Sequence, residues 1–465
     1  MLCFEDCHSF EGLWHLYEDH APFIGILTFN CTNGGKLRIV MESKWFKKDI
    51  FEFKSIAGIS TNGSCKLIYC FIEDSEQHDE IIILNIYVWI CITDPEVLDE
   101  NEIKYSTATL RLTSLYNYIA SQKGIKDDLK RQPLTCKKCD SWILENAETN
   151  VAHVRYSDYN LKFRLQTSSL SLSLISESKK TFDCYIYIES SRPKSLFEYI
   201  DLSSKIRRIF STFANMQMNT HSFRLGILSC DQASAYDVIF HEYFRKNEDL
   251  DVYSAPVQLT SRLDFENFLT AALELYNLCP QFYIGLEELR KGKGLYRNIN
   301  DCVNLFDSAY EMFRNDLLNE FNKKPQIAEN ILRDELSKTK LCSKDVNYIV
   351  SRVASVSPSL KDKINFILQF SIKKYNLPHP SRYQEMINSA IKIRDKLSHG
   401  AFIKKGDFDI NSIENIPDFF LAAIYLYYMY RIGVDSATIR QSAHRMLGKY
   451  MGAWHPVDED PLKFF

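Results

Sequence analysis

Arg394 and His399 belong to the run Arg394-Asp395-Lys396-Leu397-Ser398-His399-Gly400. A guanidinium and an imidazole this close together suit phosphodiester chemistry that needs no metal. The guanidinium grips a phosphate through paired hydrogen bonds and stabilises the charge that builds on it. The imidazole titrates near neutral pH and can carry a proton as general base or acid. The reaction these groups permit is attack of a ribose 2′-hydroxyl on the adjacent phosphate. Asp395 and His399 are four positions apart in the chain. That spacing puts them on one helical face and makes Asp395 the expected orienting group for the imidazole. Lys396 and Ser398, with Lys404 and Lys405 just beyond, are candidate phosphate contacts, and each equally fits a solvent-facing position.

These residues need a rigid support, and the chain supplies a helical pattern for it. Tyr383, Met386, Ala390 and Leu397 recur at the spacing of one helical face. Leu377-Pro378-His379-Pro380 breaks the chain before that helix, and Ser381 is its expected N-cap. Gly400 is the expected stop, because glycine alone enters the left-handed C′ conformation without steric cost. The reading therefore puts Arg394 and His399 in the last two turns.

The heptapeptide, at a helix end in an all-α region that follows a large β-rich one, resembles the HEPN ribonuclease motif, Arg-x4-6-His. In its fuller form it is similar to the ApeA family of single-protein anti-phage defence proteins. The resemblance implies an α+β multidomain chain with a β-rich regulatory or sensing region and a C-terminal HEPN helical bundle. It implies a metal-independent endoribonuclease with Arg394 and His399 as catalytic residues and no cofactor. The expected substrate is host RNA, with tRNA anticodon loops foremost, cut in abortive infection after a phage-derived trigger. The expected form is a homodimer whose two motifs face each other. A second reading stays open: a non-enzymatic dimer that binds RNA or a partner protein, with a β-rich ligand-sensing domain.

The composition permits this layout. With 465 residues the chain can hold two or three domains. Hydrophobic residues make up 45% and charged residues 25%, which is ordinary for a globular protein. Net charge is −4, but residues 361–465 carry 15 basic against 11 acidic side chains, leaving 41 against 49 in the remainder. The positive excess surrounds the motif, in the direction a polyanionic substrate needs. The first residues lack a basic segment followed by an apolar core, and the longest apolar runs, Ile81–Ile92 and Phe419–Tyr430, are too short to cross a bilayer. A cytoplasmic protein without a membrane partner is therefore expected, and its 13 cysteines are expected to be reduced.

Residues 1–240 read as β-rich, a sandwich or barrel. Phe23–Phe29, Leu37–Met41, Cys65–Ile72 and Ile81–Ile92 are expected strands, with turns at Asn33-Gly34-Gly35 and Asn62-Gly63. Leu170–Leu174 alternates with strand periodicity, Cys184–Ile188 is a further strand, and one helix is expected at Leu196–Ala214. The polar stretch 122–141 is the expected break between two subdomains. It holds Cys136 and Cys139, a weak zinc candidate with Cys3, Cys7 and His8 as conceivable further ligands. Two free thiols on a turn is the plainer alternative.

Residues 260–465 read as helical. Ile299, Val303, Phe306, Tyr310, Phe313, Leu317 and Phe321 form one long stripe, expected to start at Asn300 or Asp301. Phe419–Tyr430 is apolar on nearly every side, so it is a core helix or, failing that, a dimer contact. A last helix, Ala437–Leu447, is expected behind an Asp435 cap.

Overall fold

A computed structural model of the protein describes residues 2–17, 20–47, 49–93, 104–121, 135–139, 142–172, 178–228, 233–242, 257, 262–290, 294–321, 329–339, 341–354, 358–375, 383–404, 406–443 and 446. The chain forms two compact units. One comprises Met1–Ser211, Met216–Val252 and Leu259–Glu266, the other Thr212–Asn215, Tyr253–Gln258 and Asn267–Phe465.

The first unit is built on antiparallel strands. β1 (His8–His15), β2 (Phe23–Asn30), β3 (Gly34–Glu42), β4 (Glu52–Ser60), β5 (Gly63–His78) and β6 (Ile81–Thr93) run in the order β3-β2-β1-β4-β5-β6. Pairing of β3 with β6, from Gly35↔Val88 to Glu42↔Ile81, closes them into a barrel. Alternate residues along each strand point inward, so Leu27, Phe29, Leu37, Ile39, Leu84 and Ile86 form a fully buried core. Trp14 fills the barrel, its indole N–H donating to the Gly25 carbonyl at 3.1 Å. Gly58 makes room for that indole: a Cβ there would stand 2.6 Å from Trp14 Cζ3. Both expected turns are present, with Gly34 at φ 76° between β2 and β3 and Gly63 at φ 110° between β4 and β5.

The sheet continues from β6 through β13 (Ala233–Phe240), β12 (Thr220–Leu228), β7 (Tyr105–Leu112), β11 (Ser178–Lys194), β10 (Tyr159–Leu172) and β9 (Trp142–Tyr156) to β8 (Thr135–Cys139). α1 (Leu115–Ser121) follows β7, and α2 (Leu196–Ala214) follows β11. α2 starts with a capping box: Glu198 accepts from the Ser195 backbone N–H at 2.9 Å, and Ser195 Oγ accepts from the Glu198 N–H at 3.3 Å. Its apolar face buries Tyr199, Leu202, Ile206 and Phe210. Cys136 and Cys139 lie in a strand, paired with Glu145 and Trp142, where a turn in an inter-subdomain break was expected. Their side chains are outside the described ones.

The second unit is helical, as expected: α3 (Arg262–Leu278, shared with the first unit at its start), α4 (Pro280–Leu289), α5 (Leu295–Ser308), α6 (Tyr310–Phe321), α7 (Glu329–Ser337), α8 (Ser343–Ala354), α9 (Leu360–Tyr375), α10 (Tyr383–Ser398), α11 (Ile410–Ile413) and α12 (Ile416–Arg431), then a helix over residues 436–443. α12 is the core. Phe419, Phe420, Ile424, Leu426, Tyr427 and Tyr428 are all buried within one chain, and within Phe419–Tyr430 only Tyr430 is exposed, to 37%. The expected alternative of an aromatic dimer contact on this helix is therefore displaced by core packing. The long stripe is interrupted at Ala309, between α5 and α6. Its start also differs from expectation: Gly294, at φ 84°, takes the N-cap position, so Asn300 and Asp301 lie inside the helix. The Asp435 cap is present, with Oδ1 accepting from the Ala437 and Thr438 N–H groups at 2.9 and 3.0 Å. Among the described residues no helix is long and apolar enough to cross a membrane.

Candidate functional site

α10 presents Arg394, Asp395 and His399. Met386, Ile387, Ala390 and Ile393 on its inner face are buried, and the helix packs against α5 and α9. Tyr383, expected on the same face, has a side chain outside the described ones. The helix ends as its sequence predicts. Gly400 has φ 67°, its N–H donates to the Leu397 carbonyl at 3.1 Å, and the Ala401 N–H reaches back to Lys396 at 2.8 Å. This pair of bonds is the Schellman arrangement, with His399 as C-cap. The His399 side chain is thereby held at an exposed helix terminus.

Arg394 is partly buried, with 33% of its side chain exposed against 51% for Asp395. Its Nη1 donates to Asp395 Oδ1 at 3.1 Å. Its buried Nε–H has no hydrogen-bond partner among the described residues. Asp395 therefore pairs with the guanidinium, and among the described residues no hydrogen bond to the His399 ring is present. The expected Asp395–His399 pairing is not the one adopted. A charge-assisted bond to an adjacent Arg outcompetes one to a ring that solvent already satisfies.

The loop after Gly400 folds back on this end. Lys396 Nζ lies 2.6 Å from Asp407 Oδ2, which also accepts from the Lys404 backbone N–H at 3.0 Å. The Lys396 bond, then the Lys404 N–H, holds the Asp407 carboxyl below its ordinary pKa. Lys396 is therefore an anchor of the loop first and a phosphate contact only at that bond's expense. Phe408 lies 6.3 Å from the Tyr296 ring on α5. Ser398 and Lys404 are exposed, and Lys405 falls outside the described residues.

A cavity of about 570 Å3 opens between the end of α10 and the start of α5, lined by Leu397 and Ser398 with Gly294, Tyr296, Arg297, Asn300 and Asn304. Among the described residues no side chain caps the α5 N-terminus, the end of a helix that favours an anion. These α5 residues, and Phe402, which is 93% exposed three positions past His399, are absent from the sequence-derived set. Phe402 is one of two aromatics, with Phe408, in the polar loop 401–409, and their placement in that loop was the signal. For the α5 residues there was none, because their nearness to α10 is tertiary. Arg290, before the start of α5, donates to the buried Tyr425 hydroxyl at 2.8 Å, and residues 291–293 lie outside those described.

A large antiparallel β unit and an all-α unit, with a part-buried arginine and an exposed histidine at one helix end, make up a two-part protein. The family model described as ApeA N-terminal domain 1 matches residues 9–270, more than half of the chain, and the chain belongs to that family. No curated protein and no solved structure matches it.

Proposed function

We propose that the protein is a metal-independent endoribonuclease of the HEPN type, which cuts host RNA in anti-phage defence, with tRNA anticodon loops as the expected target. Membership of the ApeA family supports the defence context. One observation carries the chemical reading. Arg394 and His399 lie at the Schellman-terminated end of α10, and Leu397 and Ser398 between them line a cavity together with Arg297 and the start of α5, whose N-terminus has no side-chain cap.

His399 takes the proton from a ribose 2′-hydroxyl, and the 2′-oxygen attacks the adjacent phosphorus. The bond from phosphorus to the 5′-oxygen breaks, and that oxygen takes up a proton. Arg394 binds the non-bridging oxygens and stabilises their growing charge. The products are a 2′,3′-cyclic phosphate and a 5′-hydroxyl. Arg297 and the α5 N-terminus hold a neighbouring phosphate, and Phe402 offers a stacking surface for an unpaired base.

The second reading, RNA or partner binding without cutting, rests on the Arg394–Asp395 pair, which leaves the His399 ring without an orienting carboxylate among the described residues. Expression decides between them. Induction during phage challenge is expected to arrest growth and produce new RNA ends with the wild-type chain and neither with His399→Ala. Equal arrest and equal fragments with the variant would contradict the catalytic reading.

A further inference from the structure

The first unit contains a second cluster of chemically capable side chains, remote in sequence from the motif. The N-terminal segment runs beside β12: the Phe4 N–H donates to the His221 carbonyl at 2.8 Å, and the Leu2 N–H to Asp237 Oδ2 at 3.0 Å. Phe4 turns inward, only 2% exposed, with its ring 4.9 Å from Phe240. Phe4 and Glu5 are the central residues of a turn closed by the Asp6 N–H donating to the Cys3 carbonyl at 3.3 Å, and the turn leaves the Cys3 and Glu5 side chains together beside His221. The Cys3 Sγ lies 3.5 Å from His221 Nδ1 and 3.9 Å from Nε2. The ligand atoms of Cys3, Glu5 and His221 all lie within 4.8 Å of one another.

These separations have a chemical meaning. A sulfur and a nitrogen at their usual zinc distances, in tetrahedral array, stand about 3.6 Å apart. The Cys3 Sγ to His221 Nδ1 distance is of that size, and with Nε2 at 3.9 Å the sulfur lies beside the ring, so binding an ion requires the imidazole to turn a nitrogen toward it. The donor types, thiolate, imidazole and carboxylate, are those zinc accepts. His8, one of the ligands weighed from sequence, is used elsewhere: its Nε2 bonds the Cys3 carbonyl at 2.7 Å.

We propose that Cys3, Glu5 and His221 bind one Zn2+ ion, with a fourth position left to water, and that the ion clamps the N-terminal segment onto β12. Arg111, the nearby cation, is bonded to Asp183.

Metal content tests the proposal on the full-length chain, purified with a C-terminal affinity tag so that no added histidines lie near Cys3. Wild-type protein is expected to hold about one equivalent of zinc that Co2+ can replace, giving a thiolate charge-transfer band. Cys3→Ser and His221→Gln should lose the metal. Glu5→Gln, an exposed change that removes no core contact, should weaken zinc at least about tenfold, since even the partner of a ligand is worth that much. The double variant Cys136→Ser/Cys139→Ser should keep it. Chelation should lower the melting temperature of the wild type and leave that of Cys3→Ser unchanged. Folded wild-type protein without zinc would overturn the proposal, as would zinc that persists in Cys3→Ser and disappears in the Cys136/Cys139 variant.

Discussion

Arg394 holds Asp395 through one terminal nitrogen, its Nε–H is buried, and a third of its side chain is exposed. Asp395 thus serves the site by fixing the arginine, and the imidazole at position 399 is left to be oriented by substrate or by a second copy of the chain. Phe402 is the other residue whose setting calls for a function. A phenylalanine 93% exposed forgoes most of the burial that normally stabilises one, and base stacking would recover it. Phe402→Ala in a His399→Ala background is expected to weaken RNA binding by about 5- to 150-fold, the equivalent of ~1–3 kcal/mol per stacked base. The melting temperature should not move, because the ring buries almost nothing. Fluorescence anisotropy with a labelled anticodon stem-loop measures this, and an unchanged affinity would remove Phe402 from the site.

At the scale of elements, the end of α10 is the critical feature. Gly400 has a left-handed φ of 67°, and a Cβ there would meet nothing within 4 Å, so Gly400→Ala costs backbone strain alone, about 1–2 kcal/mol. The expected outcome is a small fall in melting temperature and a much larger fall in RNA cleavage, because the strain is relieved by moving His399. Gly400→Asn should be milder in both. Cleavage that falls no further than stability predicts would show that the helix end does not position the imidazole. This element was legible in the sequence because its signals are local: the apolar face through Met386 and Ala390, and a glycine stop. The Asp435 cap and the turns at Gly34 and Gly63 were legible for the same reason. The start of α5 was missed because Gly294 replaces the side-chain cap by which a helix start is recognised. The cavity residues Tyr296 and Arg297, and the meeting of Cys3 with His221, were hidden because long-range packing alone brings them together. The Asp395–His399 spacing was read correctly, but a bond to the neighbouring Arg394 took the carboxylate.

For the whole molecule, one chain supplies one imidazole, whereas concerted cleavage uses two proton-transferring groups. Two-fold symmetry would provide the second from the same surface. Because the aromatics of α12 are spent on the core, the contact is expected on the polar outer face of α10, through Gln384, Asn388, Lys392 and Ser398. Light scattering on active protein should give twice the 54.2 kDa chain mass, and Lys392→Glu should reduce dimer and cleavage together. An active species that stays monomeric at assay concentration would contradict the shared site. The β unit is the part the family model identifies, and its proposed zinc clamp is tested by metal content and melting, independently of cleavage.

The central claim is that Arg394 and His399 perform metal-independent transesterification of RNA, and the chemistry of the fragment ends tests it most directly. RNA recovered from phage-challenged cells carrying the wild-type chain, compared with His399→Ala, should show fragments with a 2′,3′-cyclic phosphate on one side of each cut and a 5′-hydroxyl on the other, absent from the variant. Fragments bearing 5′-phosphates, or the same cuts in the variant, would contradict it.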